Sequence, residues 1–130
     1  MYEKDPDTWE IIEGGAWGKL TFNAESGKFV FNGHGLDSGE DYTLIYYGKL
    51  DEEGNIIYND VWPWATCIGQ GTADDDGDVH IKGQFPFFDE FMGDKVPEKI
   101  WLVLSSDADC ENGKMTSWNP TEYLFEYNTI

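Results

Sequence analysis

Along most of the chain, hydrophobic and polar positions alternate with a period of two. This is the pattern of a strand with one buried face and one wet face. In 17–23, Leu20 and Phe22 alternate with Lys19, Thr21 and Asn23. After the turn-forming residues Ala24-Glu25-Ser26-Gly27, Phe29 and Phe31 share one face of a second run, 28–36, so these two runs predict a hairpin. In 78–85, Val79, Ile81, Gly83 and Phe85 face one way and His80, Lys82 and Gln84 the other. That run is predicted to form a second hairpin with 64–72 through Ala73-Asp74-Asp75-Asp76-Gly77, where the glycine suits a positive φ.

Two runs break the alternation by being apolar on both faces. Tyr42-Thr43-Leu44-Ile45-Tyr46-Tyr47 and 99–105 (Lys-Ile-Trp-Leu-Val-Leu-Ser) are β-branched, aromatic or aliphatic almost throughout, which predicts central strands. A last strand is expected over 121–127, with Tyr123, Phe125 and Tyr127 on one face. Between the central candidates lie the turn Asp51-Glu52-Glu53-Gly54-Asn55, a short edge strand at 56–58, and Trp62-Pro63-Trp64, where proline removes a ladder donor. Residues 1–13 read as an irregular arm, and 87–97 as irregular with one short helical turn at 88–92.

About seven short strands and no segment of helical periodicity predict an all-β protein, an antiparallel immunoglobulin-like β-sandwich. Residues 1–130 suit one domain. The expected core is Leu20, Phe22, Phe29, Phe31, Leu44, Ile81, Ile100, Leu102, Leu104 and Phe125. The antibody signature is missing, because no Trp follows Cys67 at short distance.

Composition narrows the partners. There are 26 acidic residues against 8 basic ones, all Lys, for a net charge of −18. Disordered acidic chains are poor in aromatics, and here Phe, Tyr and Trp make up 16%. Nucleic acid and anionic membrane surfaces are approached through clustered Lys and Arg, so neither is an expected partner. No apolar run approaches the roughly 20 residues of a membrane-crossing helix. The acidic start Met1-Tyr2-Glu3-Lys4-Asp5 is unlike a signal peptide, so the chain reads as intracellular or as a mature segment. Cys67 and Cys110 allow either one disulfide or two separate buried thiols.

Candidate chemistry is sparse. Asp74, Asp76 and Asp78 offer closely spaced oxygens for calcium. The EF-hand register fails, however, since placing Gly77 sixth puts Gly83 where the bidentate Glu belongs. The bland alternative is a solvated hairpin tip. Asp107, Asp109 and Glu111 form a second acidic loop with the same two readings. The spacing of His34, His80, Cys67 and Cys110 does not support a zinc site. Serines lack a nucleophile-elbow context and no phosphate-binding loop occurs, so no enzyme is expected. Trp62 and Trp64 flank a stiff proline and make the best candidate binding surface, for a polysaccharide or a protein; the alternative is that they plug the end of the sandwich. The same alternative covers Trp118-Asn119-Pro120.

Several stretches together resemble a family of exported prokaryotic domains of unknown function, chiefly from methanogenic archaea. They are Gly15-Ala16-Trp17-Gly18-Lys19-Leu20, Phe29-Val30-Phe31-Asn32-Gly33-His34-Gly35-Leu36, Asp41-Tyr42-Thr43-Leu44-Ile45-Tyr46-Tyr47, Gly69-Gln70-Gly71-Thr72 with Gly77-Asp78-Val79-His80-Ile81, 100–107, and Trp118-Asn119-Pro120-Thr121-Glu122-Tyr123. The resemblance implies a secreted or cell-surface β-sandwich module with no assigned reaction. An extracellular setting in turn implies the Cys67–Cys110 disulfide. The expected role is a non-enzymatic structural or interaction module, with carbohydrate binding through Trp62 and Trp64, or calcium-dependent adhesion through the acidic loops, as alternatives.

Overall fold

The alternating and doubly apolar runs fold into antiparallel strands. The computed structural model describes residues 1–23, 26, 28–50, 56–59, 62–84 and 100–125; the side chains of 22, 50 and 56–59 lie outside that description. In chain order the strands are β1 (Trp17–Phe22), β2 (Lys28–His34), β3 (Asp41–Tyr46), β4 (Gly48–Leu50), β5 (Ile56–Asn59) and β6 (Thr66–Thr72). They continue with β7 (Val79–Gln84), β8 (Ile100–Leu104), β9 (Ala108–Asp109), β10 (Lys114–Met115) and β11 (Leu124–Phe125). Short 3₁₀ turns occupy Ser105–Asp107 and Pro120–Glu122.

One sheet has the order β1-β2-β7 and the other β11-β8-β3-β6; β4-β5 and β9-β10 are two-stranded ribbons. The β1–β2 hairpin has the expected register, Leu20 opposite Phe31 and Phe22 opposite Phe29. The two doubly apolar runs become the central strands β3 and β8, paired with Leu44 opposite Leu102. Tyr2 joins the sheets at one edge, bridging Trp17 of β1 and Phe125 of β11. Its N–H donates to the Phe125 carbonyl at 2.8 Å, and the Phe125 N–H donates back at 2.9 Å.

The expected β6–β7 hairpin is corrected. β6 pairs with β3 and β7 with β2, so the link Ala73–Asp78 crosses between sheets instead of turning within one. Glycine is the physical reason. A Cβ on Gly69 would lie 2.7 Å from Ile81 Cγ2, and one on Gly71 2.8 Å from Ile81 Cγ1. The bare β6 backbone therefore lets β7 side chains pack on it from the other layer. Gly77 has the expected positive φ, 79°.

Between the sheets, Phe29, Phe31, Tyr42, Leu44, Tyr46, Val79, Ile81, Ile100, Leu102 and Leu124 form one core. Each fully buried side chain of this size contributes roughly 1.5–3 kcal/mol. Leu20 and Leu104 are partly buried against it, as expected, while the Phe22 side chain lies outside the described residues. Phe125 is buried but belongs elsewhere. With Ile45, Tyr47, Ala65, Trp101, Val103, Met115 and Tyr123 it makes a second cluster on the outward face of the four-stranded sheet. The anticipated last strand starts later than expected, at Leu124, because Pro120 opens a 3₁₀ turn just before it; residues 126 and 127 lie outside the described residues. The expected turns at 51–55 and 88–92, with Phe85 and Tyr127, lie outside the described residues.

Candidate functional site

The second cluster needs a cover, and its cover carries the aromatic surface. β9-β10 lies over it, and the arm 1–13 folds back so that Asp5 N–H donates to the Glu10 carbonyl (2.9 Å) and Ile12 N–H to the Glu3 carbonyl (2.9 Å). This places Trp9 edge-on to Phe125, centroids 5.2 Å apart. Trp9 has a φ of 60°, the one positive value at a non-glycine among the described residues. A left-handed backbone at a bulky side chain costs about 1–2 kcal/mol, which burial of the indole against Phe125 offsets.

Trp101, on β8, stacks on Tyr47 at 4.2 Å with planes 17° apart and meets Phe125 edge-on at 5.1 Å. Trp118 lies over it at 5.7 Å, and Trp62 stands against Trp118 at 5.8 Å with planes 82° apart. Trp62 is 46% and Trp118 41% exposed, whereas Trp101 beneath is 6% exposed. Trp101 Nε1 has no hydrogen-bond partner among the described residues. The result is a perpendicular corner of two exposed indoles resting on buried aromatic rings.

Hydrogen bonds hold the loop that carries Trp118. The Tyr123 hydroxyl donates to buried Asp107 Oδ2 and accepts from Asn119 N–H at 3.0 Å, while Asn119 Nδ2 also donates to Asp107 Oδ2 at 2.9 Å. Burial first, and then the neighbouring Asp107 carboxylate, raises the Tyr123 pKa above its usual value. Tyr42, on β3, repeats the motif. Its hydroxyl accepts from Asp37 N–H at 3.0 Å, and burial pushes its pKa up to about 12.

Of the sequence-predicted residues, Trp62 is exposed and Trp64 is not. Trp64 is partly buried, with Lys49 Nζ 4.3 Å from its ring centroid and its backbone bridging Lys114. The exposed indole that stands beside Trp62 is Trp118. Trp62-Pro63 is a cis peptide. The disulfide joins Cys67 on β6 to Cys110 just beyond β9. It fastens the covering ribbon to the outward face of the sheet.

The acidic loops behave differently from one another. Oxygens of Asp74, Asp76 and Asp78 lie within 4.8 Å of each other, all exposed. Asp74 Oδ1, however, already accepts from Asp76 N–H (2.9 Å) and Asp78 N–H (3.0 Å), and Asp78 Oδ1 faces His34 Nδ1 at 3.0 Å. This is the chemistry of a hydrogen-bonded turn. Asp107, Asp109 and Glu111 form no such group among the described residues. Asp107 turns inward to Tyr123, while Asp109 accepts from the side chain and backbone of Asn112, which lowers its pKa.

One carboxyl pair was not singled out by sequence. Asp37 and Glu122 line a cavity of about 130 Å³ with Glu3, Leu36 and Tyr42. A hydrogen bond with Asp37, then desolvation and the negative charges of Asp37, Glu3 and Glu40, raise the Glu122 pKa. Asp37 and Glu122 lie far apart in sequence within an acid-rich chain, so no spacing rule selects them.

Compared with protein-family models, curated proteins and solved structures, the chain matches none.

Proposed function

We propose that this domain is a non-enzymatic, secreted or cell-surface interaction module that holds a glycan in the indole corner of Trp62 and Trp118. The exposure of those two rings at 5.8 Å carries the reading. Indole faces stack on the apolar faces of sugar rings, and two rings set perpendicular clasp one sugar unit better than a flat surface. Trp101 and Phe125 hold the corner from below, so little side-chain freedom is lost on binding. The extracellular setting follows the resemblance to exported archaeal domains and is supported by the disulfide. The immunoglobulin-like relationship belongs to the same proposal. Its support is the pair of tyrosines whose hydroxyls accept from backbone N–H groups just upstream, a corner seen in such sandwiches.

The test is a tryptophan-fluorescence titration with neutral oligosaccharides. Binding is expected to shift the emission and to weaken at least tenfold in Trp62→Ala, with melting temperature little changed, and in Trp118→Ala, compared at a temperature where that variant remains folded by circular dichroism. An unshifted emission across a panel of hexose and N-acetylhexosamine oligomers overturns the reading.

A further inference from the structure

The outward face of the three-stranded sheet has a composition unlike the rest of the molecule. Pairing register places its side chains in four cross-strand rows: Trp17 with His34; Lys19, Asn32 and His80; Thr21, Val30 and Lys82; and Lys28 with Gln84. Alternate residues on a strand are about 7 Å apart and neighbouring strands about 4.8 Å. Lys19 on β1 and Lys82 on β7 therefore stand roughly 12 Å apart across the strip. None of the three strands contains Asp or Glu, although the chain carries 26. They hold three of its eight Lys and both of its His. Among the described residues, none of those Lys is in an ion pair.

Trp17 is 48% exposed and held by His34, ring centroids 4.7 Å apart. His80 Nδ1 is 2.7 Å from Asn32 Oδ1. At the Lys28 end an open hollow of about 340 Å³ is lined by Thr21, Asn23, Lys28, Phe29 and Val30.

We propose that this face binds an acidic polysaccharide, with a sugar ring on Trp17 and the anionic groups on Lys19, Lys28 and Lys82. Charge complementarity selects the occupant, since this is a cationic strip on a chain of net charge −18. A protein partner fits less well. Stable protein interfaces have an apolar centre depleted of charge, and here only Trp17 and Val30 are exposed apolar side chains. A second copy of the chain would bring its own −18. Nucleic acid asks for several stacking platforms along a basic groove, and this strip offers one. A narrow glycan meets the strip alone, and hydrogen-bonding Thr21, Asn32 and Gln84 suit its hydroxyls. At physiological ionic strength the Debye length is about 8 Å, so the surrounding acids are screened while contacts with Lys persist.

The site is separate from the Trp62–Trp118 corner and does not depend on it. Native gel electrophoresis at about 0.15 M ionic strength, through gels containing polygalacturonate, dextran sulfate, neutral dextran or single-stranded DNA, tests the assignment. Retardation is expected with at least one of the two acidic polysaccharides and with neither dextran nor DNA; which one retards tells carboxylate from sulfate. It is expected to fall at least fivefold in Lys19→Gln/Lys82→Gln and in Trp17→Ala, and to persist in Trp62→Ala/Trp118→Ala, with unchanged circular dichroism throughout. No retardation by either acidic polysaccharide overturns the proposal. So do equal retardation by DNA and retardation insensitive to the Lys19 and Lys82 changes.

Discussion

The outward faces of the two sheets start from similar strands and end in opposite environments. On the three-stranded sheet the outward positions are mostly Lys, His, Asn, Thr and Gln, with Trp17 and Val30, and they meet water directly. On the four-stranded sheet the corresponding positions are Ile45, Trp101, Val103 and Phe125, buried under an arm, a ribbon and a loop. Both faces present tryptophan, yet Trp17 is 48% exposed and Trp101 6%. Whether a sheet face becomes a surface or a second core depends on the segments available to cover it. Here the covering segments also place Trp62 and Trp118 at the rim.

Swapping one tryptophan on each face tests this difference most strongly. Trp101→Ala is expected to destabilise by about 3–5 kcal/mol, the usual cost of deleting a buried indole. Trp17→Ala should stay within about 0.5 kcal/mol, as a surface change does. Urea denaturation of both variants measures the contrast, and similar losses would erase the distinction between the faces. Reducing the disulfide attacks the cover itself. Cys67 and Cys110 are 43 residues apart, and loop-closure entropy puts the loss at about 3–4 kcal/mol. It should be accompanied by greater exposure of Trp118 to a soluble quencher, while Trp17 quenching stays constant.

The smallest effect is electrostatic and lies at the cavity lined by residues 3, 37 and 122. The folded state raises the Glu122 pKa, so it holds that proton more tightly than the unfolded chain. Its contribution is therefore greatest below the ordinary carboxyl range and is lost as pH rises through the raised value. Glu122→Gln should stabilise the protein at neutral pH by on the order of 0.5 kcal/mol and flatten the fall in melting temperature with rising pH above the ordinary Glu range. Thermal scans between acid and neutral pH measure it.

Legibility from sequence followed the range of the interaction. The β1–β2 hairpin and the central positions of β3 and β8 were readable because alternation and its absence are local consequences of strand geometry. The β6–β7 hairpin was misread because Asp74–Gly77 has the local chemistry of a turn within one sheet, while the glycines that let the layers cross act at long range. The Trp62–Trp118 corner was unreadable for a similar reason: the two indoles are distant in sequence and meet because the covering loops converge. Asp107 looked like a ligand in an acidic loop; only its contact with Tyr123 shows it to be an internal acceptor.

By itself the sequence determined an all-β chain, its inward and outward residues on each strand, and the acid-free composition of β1, β2 and β7. These follow from side-chain periodicity and composition, which need no knowledge of distant neighbours. Tertiary structure alone decided which sheet face would be covered, which thiol loop would fasten the cover, and which two indoles would share the exposed corner. Those outcomes depend on contacts between segments far apart along the chain, where packing and shape choose among partners that look equivalent in one dimension.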